Sequence, residues 1–288
     1  MYITLQDSTK EKGISMKKIG FIDLFIDEWH ANNYPNWFRT APRAAEFELG
    51  YAWEEAPAGG RPLDVWCKDF QMTPARSIEE VIEKSDCLCV LAPSNPEVHE
   101  RLAELPLKSG KPVYIDKPFA DSRAAAERLF ALADKYNTPL MSSSALRFGD
   151  EFLSGPMKEL KFDIMGTTGG GSSFDEYGIH QLEMLVSVMG TDVRDLKLTG
   201  DAQKLVLSVI YADGRLGQVM YAPRFGFTVN ASGPDGSFRS AAVSNFFPNL
   251  IAAMMDFFAT GKSIIPQEQT IAIADLLERS TALLHNRK

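Results

Sequence analysis

From Ile19 to about residue 145, short apolar runs alternate with stretches of helical periodicity, and this alternation confines the chain to a parallel sheet covered by helices. Strands are expected over residues 19–22, 47–53, 87–92, 113–115 and 140–142. Ser77-Ile78-Glu79-Glu80 reads as a capping box for a helix ending near Lys84. Asn95-Pro96 places a proline at a first helical position, with Gly110 as the stop, and the helix after Asp121 ends near Asn137. Crossovers of this length join parallel strands with the usual right hand. The helical pattern after the first strand is interrupted by Asn32-Asn33-Tyr34-Pro35.

The second half has a different period. Residues 205–210 and 216–221 flank Ala212-Asp213-Gly214, a hairpin signal, and residues 225–229 supply another strand before Pro234-Asp235-Gly236. Two helical patterns follow, 249–260 stopped by Gly261 and 267–285, placed either on that sheet or back on the first domain. The expected fold is therefore α/β: a Rossmann-type parallel-sheet domain over residues 16–145, then an α+β domain with an antiparallel sheet over 146–288. Residues 1–15 are polar and aperiodic, and read as an extension ahead of the fold. A one-sided sheet must bury its apolar face, so a homo-oligomer through the C-terminal sheet is expected.

Composition removes several classes of function. The 30 basic and 38 acidic residues give a net charge of −8 without charge runs, which leaves no footprint for nucleic acid. No stretch approaches the roughly 18 apolar residues of a membrane span. Cys67, Cys87 and Cys89 form neither a disulfide nor a metal framework, which fits a reducing, cytoplasmic setting.

Two constellations carry chemistry. Asp116-Lys117-Pro118 follows a buried strand, at the edge where open α/β sheets place ligands. There the Lys117 ammonium can hold a substrate hydroxyl and stabilise developing alkoxide, with Asp116 fixing it; the alternative is a solvated loop lysine. The second is Asp175-Glu176-Tyr177-Gly178-Ile179-His180-Gln181-Leu182-Glu183. If residues 178–189 are helical and extend back one turn, Glu176 stands four residues before His180 on one face, beside Glu183. Glu176 can then set the imidazole tautomer for a general base, or the two form an exposed ion pair.

The ordered set Pro93-Ser94-Asn95-Pro96-Glu97-Val98-His99, Gly110-Lys111-Pro112-Val113-Tyr114-Ile115-Asp116-Lys117-Pro118, Arg147-Phe148, Gly170-Gly171, Glu176-Tyr177-Gly178-Ile179-His180 and Tyr211-Ala212-Asp213-Gly214-Arg215 resembles the Gfo/Idh/MocA family (glucose-fructose oxidoreductase / inositol dehydrogenase) over roughly residues 76–288. The resemblance implies a catalytic pair of Lys117 and His180 supported by Glu176, and a nicotinamide cofactor. It implies cofactor contacts from Asp23, Phe25, Glu54, Pro93, Asn95, His99, Asp116 and Lys117, and substrate contacts from Lys117, Arg147, Asp175, Glu176 and His180. No metal site is expected.

The first loop departs from that family. Where a glycine-rich turn normally lets backbone approach a pyrophosphate, this chain has Asp23-Leu24-Phe25-Ile26-Asp27-Glu28. Asp23, Asp27, Glu28 and His30 could instead bind sugar hydroxyls or a divalent metal. Trp29, Tyr34, Trp37 and Phe38 could line a sugar site or pack in the core. Glu54 and Glu55 after the second strand suit a ribose and disfavour a 2′-phosphate, so NAD is expected ahead of NADP. The expected function is NAD(P)-dependent hydride transfer from a sugar, sugar derivative or cyclitol hydroxyl. The alternatives are NAD-assisted chemistry without net redox, such as glycoside cleavage or epimerisation through a ketone, or a cofactor-free paralogue that binds a sugar or a partner.

Overall fold

The computed structural model describes residues 16–58 and 60–286, so the expected extension over residues 1–15 lies outside the described residues. The first sheet has six strands: β1 (Lys17–Asp23), β2 (Phe47–Glu54), β3 (Thr73–Pro74), β4 (Cys87–Val90), β5 (Val113–Ile115) and β6 (Leu140–Met141). All pair in parallel, in the order β3-β2-β1-β4-β5-β6. Helices α1 (Trp29–Thr40), α2 (Leu63–Phe70), α3 (Ile78–Lys84), α4 (His99–Leu107) and α5 (Arg123–Lys135) cover its faces. Every residue of β4 is buried because helices lie on both sides, which is why it reads as one apolar run. Strand order reverses between β1 and β4, and at that point the carboxyl edge opens a crevice.

The expected break at Pro35 does not occur, since α1 runs unbroken from Trp29 to Thr40. Proline removes one backbone hydrogen bond, but Ala31, Tyr34, Pro35 and Phe38 are all buried, and Glu28 caps the first turn. Core burial outweighs the local defect.

After the one-turn helices α6 (Asp150–Leu153) and α7 (Pro156–Glu159), the chain builds a second six-stranded sheet. It comprises β7 (Ile164–Gly169), β8 (Val193–Asp201), β9 (Lys204–Tyr211), β10 (Leu216–Tyr221), β11 (Thr228–Gly233) and β12 (Gly236–Ser240), in the order β12-β11-β7-β10-β9-β8. The sheet is mostly antiparallel, as expected, with one parallel pair, β7 and β10. The strand expected over 225–229 begins later, at Thr228, and turns through Pro234-Asp235 into β12.

β9 alternates buried and half-buried residues, as a strand with one covered face must. The cover is α8 (Phe174–Met189), whose Leu182, Leu185 and Val186 share a core with Leu207, Val209 and Val219. At the entry to α8 the backbone is tight: a Cβ on Gly170 would stand 2.1 Å from Ala222 O, and one on Gly171 would meet the Tyr177 ring.

The last two helices divide their loyalties. α9 (Phe246–Thr260), ended by Gly261 in the left-handed region, packs Leu250, Met254 and Phe258 into the core beneath α1. α10 (Gln267–His285) contributes Ile273 and Leu276 to the core of the second sheet and Ala274 to the core beside α5.

Candidate functional site

The carboxyl ends of β1, β4, β5 and β6 converge with the N-terminal halves of α1 and α8. β5 delivers Asp116, fully buried, whose Oδ1 accepts from Lys117 N at 2.7 Å and whose Oδ2 meets His30 Nδ1. Burial pushes this carboxyl up, but the adjoining His30 and Lys117 outweigh it and hold the group below the usual carboxylate range. Lys117 precedes a cis Pro118, and its Nζ donates to Pro93 O at 3.4 Å across the loop after β4.

His180 comes from the other wall, on α8. Its Nδ1 lies 2.7 Å from Ser144 Oγ, which also accepts from Leu146 N at 3.2 Å. Ser144 N donates to Glu183 Oε1 at 3.1 Å, Arg147 Nε to Glu183 Oε2 at 2.6 Å, and Arg147 Nη1 to Gln269 Oε1 at 2.7 Å. The Arg147–Glu183 pair is buried, so removing either partner would strand a charge. One network thus joins α10, the loop after β6 and α8 behind the imidazole. Enclosure by protein, then the positive charge of Lys117, lower the His180 pKa well below the usual histidine value, which keeps the ring neutral.

The structure gives several of the expected site residues partners that the sequence does not announce. Glu176 does share the α8 face with His180, but its carboxylate turns away to accept from Ser94 Oγ at 2.9 Å and from Ser172 Oγ. The group that orients His180 is Ser144. Arg147 is buried against Glu183, behind the imidazole. His99 is fully buried, with its ring nitrogens 3.0 Å from Phe119 O and 2.6 Å from Leu91 O, and it ties the loops after β4 and β5 together from below the cleft. Asp175 is exposed and pairs with His285 at 3.0 Å, both lining the cleft beside Lys117. Asn95 bonds Glu97 at 2.9 Å, while Pro93 is buried under Lys117. Glu183, singled out beside His180 by helical spacing, reaches it through Ser144, which nothing in its local sequence marks. His30 joins the site through Asp116, a partner 86 residues away.

The loop after β1 shows whether a dinucleotide fits. Glu28 caps α1, its carboxylate accepting from His30 N at 2.7 Å and from Ala31 N. Glu54 Oε2 accepts from Ile26 N at 2.9 Å. Asp23 Oδ1 accepts from Leu24 N at 2.7 Å and Ala92 N at 3.0 Å, while its Oδ2 is buried with no partner among the described residues. Asp27 pairs with Arg61 at 2.7 Å. Phe25 sits half-buried within this loop. Burial raises Asp23 well above the usual carboxylate range and Glu28 to about 7. The amides that would cradle a pyrophosphate at a helix N-terminus are already satisfied by the protein's own carboxylates, so these residues do not fit that group in its usual place.

Beside Lys117 a cleft of about 540 Å³ runs between the loops after β4 and β5, the first turn of α8 and the end of α10, lined by Ser94, Pro118, Glu176 and His285 among others. Among the described residues no group of three or more His, Cys, Asp or Glu is arranged to hold a metal ion. Nor is any helix long and apolar enough to cross a membrane.

Comparison with known proteins agrees with this architecture. Residues 26–144 match the family model described as "Oxidoreductase family, NAD-binding Rossmann fold". A curated protein of Escherichia coli (strain K12), the uncharacterized oxidoreductase YhhX, is 27% identical, with 42% of each chain covered, so the match spans about two fifths of that relative. A probable dehydrogenase from Thermotoga maritima superposes with a TM-score of 0.78 at 15% identity, covering 94% of this chain and 98% of that one. A putative myo-inositol dehydrogenase from Sinorhizobium meliloti 1021 gives 0.72 at 14% identity, covering 93% and 98%. At these identities the solved structures speak for the fold. Over residues 26–144 the chain thus resembles the Gfo/Idh/MocA oxidoreductases with their NAD-binding Rossmann fold, and its two-sheet architecture is that of the solved dehydrogenase structures.

Proposed function

We propose that the protein is an oxidoreductase acting on a hydroxyl of a sugar, sugar derivative or cyclitol, with Lys117 and His180 as its catalytic pair. The observation that carries this reading is the buried support behind a neutral imidazole, Arg147–Glu183–Ser144–His180, facing a lysine at the carboxyl edge of β5. Ser144 Oγ has lone pairs for both Leu146 N and a protonated Nδ1, which leaves His180 Nε2 free to take the hydroxyl proton. The Lys117 ammonium stabilises the oxygen as that charge develops. These residues supply the proton half of an oxidation.

The hydride half is tested by calorimetric titration with NAD and NADP. NAD is expected ahead of NADP because Glu54 and Glu55 close the end of β2, and binding is expected to be weak because the loop after β1 is self-satisfied. Tighter NADP binding would overturn the preference. Turnover on a panel of polyols, sugars and cyclitols tests the substrate class, and no turnover with either dinucleotide would overturn the redox reading.

A second reading, sugar chemistry without net redox or sugar binding by a cofactor-free protein, is favoured by the placement of Glu28 and Glu54 on the loop amides. We also infer a cytoplasmic homo-oligomer. Its three cysteines are unpaired and buried, and the open face of the second sheet exposes Ile164 and Leu216, which a second copy would cover. Sedimentation equilibrium tests the assembly, and a monomer at all concentrations would reject it.

A further inference from the structure

Lys117 and His180 stand on separate elements, one in the loop after β5 and the other on α8, so their relative placement must be set by contacts that join those elements. The β5–β6 ladder pairs Val113 with Leu140 and Tyr114 with Met141, and there it ends. Beyond it the strands part. β5 runs on through Asp116 to Lys117, and β6 into Ser142, Ser143 and Ser144, all three buried. Tyr114 bridges the two paths: its hydroxyl donates to Ser143 O at 3.0 Å, and its fully buried ring shares a core with Met141, Ala145 and Phe148.

The next residue of that loop is the one that orients the imidazole, since Ser144 Oγ lies 2.7 Å from His180 Nδ1. The loop is also held by Glu183, which accepts from Ser144 N at 3.1 Å and from Ser143 Oγ at 3.5 Å. Glu183 rides on α8 with His180, so that hold fixes the loop to the helix. The Tyr114 hydroxyl fixes it to the strand that carries Lys117.

We propose that Tyr114 is a positioning residue that sets His180 against Lys117: by pinning Ser143 it keeps Ser144 Oγ on His180 Nδ1, and so holds the imidazole in the Nδ1–H tautomer with Nε2 left to accept a proton. The proposal rests on the Lys117–His180 reading above. Without the phenol, Ser143 O loses that donor and the loop can shift. Where Ser144 Oγ leaves Nδ1 the ring mixes tautomers, and molecules that carry the proton on Nε2 cannot serve as the base. A displacement of about 1 Å in such a site costs up to about 100-fold in rate.

Tyr114→Phe keeps the ring and removes the donor. In the isotope-labelled full chain, with the His180 signals identified by their loss in His180→Gln, the imidazole nitrogens are read by NMR. The wild type is expected in the Nδ1–H tautomer and Tyr114→Phe as a mixture. On a polyol with NAD, kcat is expected to fall by about 10-fold with KM within about 2-fold. Adding Tyr114→Phe to Ser144→Ala is expected to slow turnover no further, because both act through one contact. If Tyr114→Phe fails to melt cooperatively, para-fluorophenylalanine at position 114, which fills the space of the hydroxyl without donating, takes its place. A folded variant with the wild-type tautomer overturns the proposal whatever its turnover, and so does a wild type in the Nε2–H tautomer or full additivity with Ser144→Ala. Absence of turnover in wild type with either dinucleotide removes the oxidoreductase reading instead, and the tautomer measurement still decides on Tyr114.

Discussion

The loops after β1 and β5 leave the same edge of one sheet, and each begins with a buried aspartate, yet they do opposite work. Asp23 and its neighbours Glu28 and Glu54 turn inward and satisfy amides of their own loop. Asp116 turns toward two cationic or potentially cationic partners, His30 and Lys117. The lesson is that a carboxyl edge can be closed as well as open. Acids that complete the hydrogen bonds of a helix N-terminus remove the feature that attracts an anion, while acids that hold a cation in place create a reactive one.

The comparison breaks first at Lys117 and His180. Lys117→Ala and His180→Ala are each expected to lower turnover by about 100-fold or more while leaving the fold intact, as loss of an electrostatic stabiliser or a base does. Near-normal turnover measured under saturating substrate would assign the edge of β5 to structure.

Next in size is the support behind His180. Ser144→Ala should lower kcat by roughly 10-fold with little change in KM, because it frees the imidazole without touching the bound hydroxyl. A change confined to KM would place Ser144 in binding.

The closed loop gives the smallest effects. Glu28→Gly exposes His30 N and Ala31 N, so dinucleotide affinity should rise by about 10-fold in a calorimetric titration. Unchanged affinity would show that the closure lies elsewhere, with Asp23 and Glu54. Glu28 also gives a pH signature. Its folded pKa, about 7, stands above its ordinary value of 4.5, so the native state binds the extra proton between these limits, and stability falls as pH rises through that window. A thermal melt of Glu28→Gln against wild type should show the variant gaining as pH increases from 5 to 8, by at most about 3 kcal/mol. A difference independent of pH would mean that the carboxyl is not buried.

How much of this was legible in the sequence depends on how local its cause is. β5, β10 and α10 run over the residues expected, because apolar runs, turn residues and helical periods are short-range signals. β7 and β8 escaped, the first because Gly166-Thr167-Thr168-Gly169 looks like a loop, the second because its outer residues Arg194, Asp195 and Lys197 break the apolar pattern. α1 was undervalued because what holds Pro35 in a helix is burial against distant strands. In the site, helical spacing put Glu176 and His180 on one face, but the carboxylate follows Ser94, 82 residues earlier in the chain. Lys117, His180, Glu183 and His30 stand in local patterns of the sequence, but their partners Ser144 and Asp116 come from far along the chain and no local pattern announces those pairings.

The split allegiance of the last two helices has a mechanical consequence. Because α9 is embedded beneath α1 and α10 bears on both α8 and α5, the polypeptide crosses between the two halves repeatedly, and no single linker can serve as a free hinge. Opening the cleft must slide packed helix faces past one another, a shear of small amplitude. The walls that carry Lys117 and His180 are then held at a nearly fixed separation, as in a calliper locked at one setting.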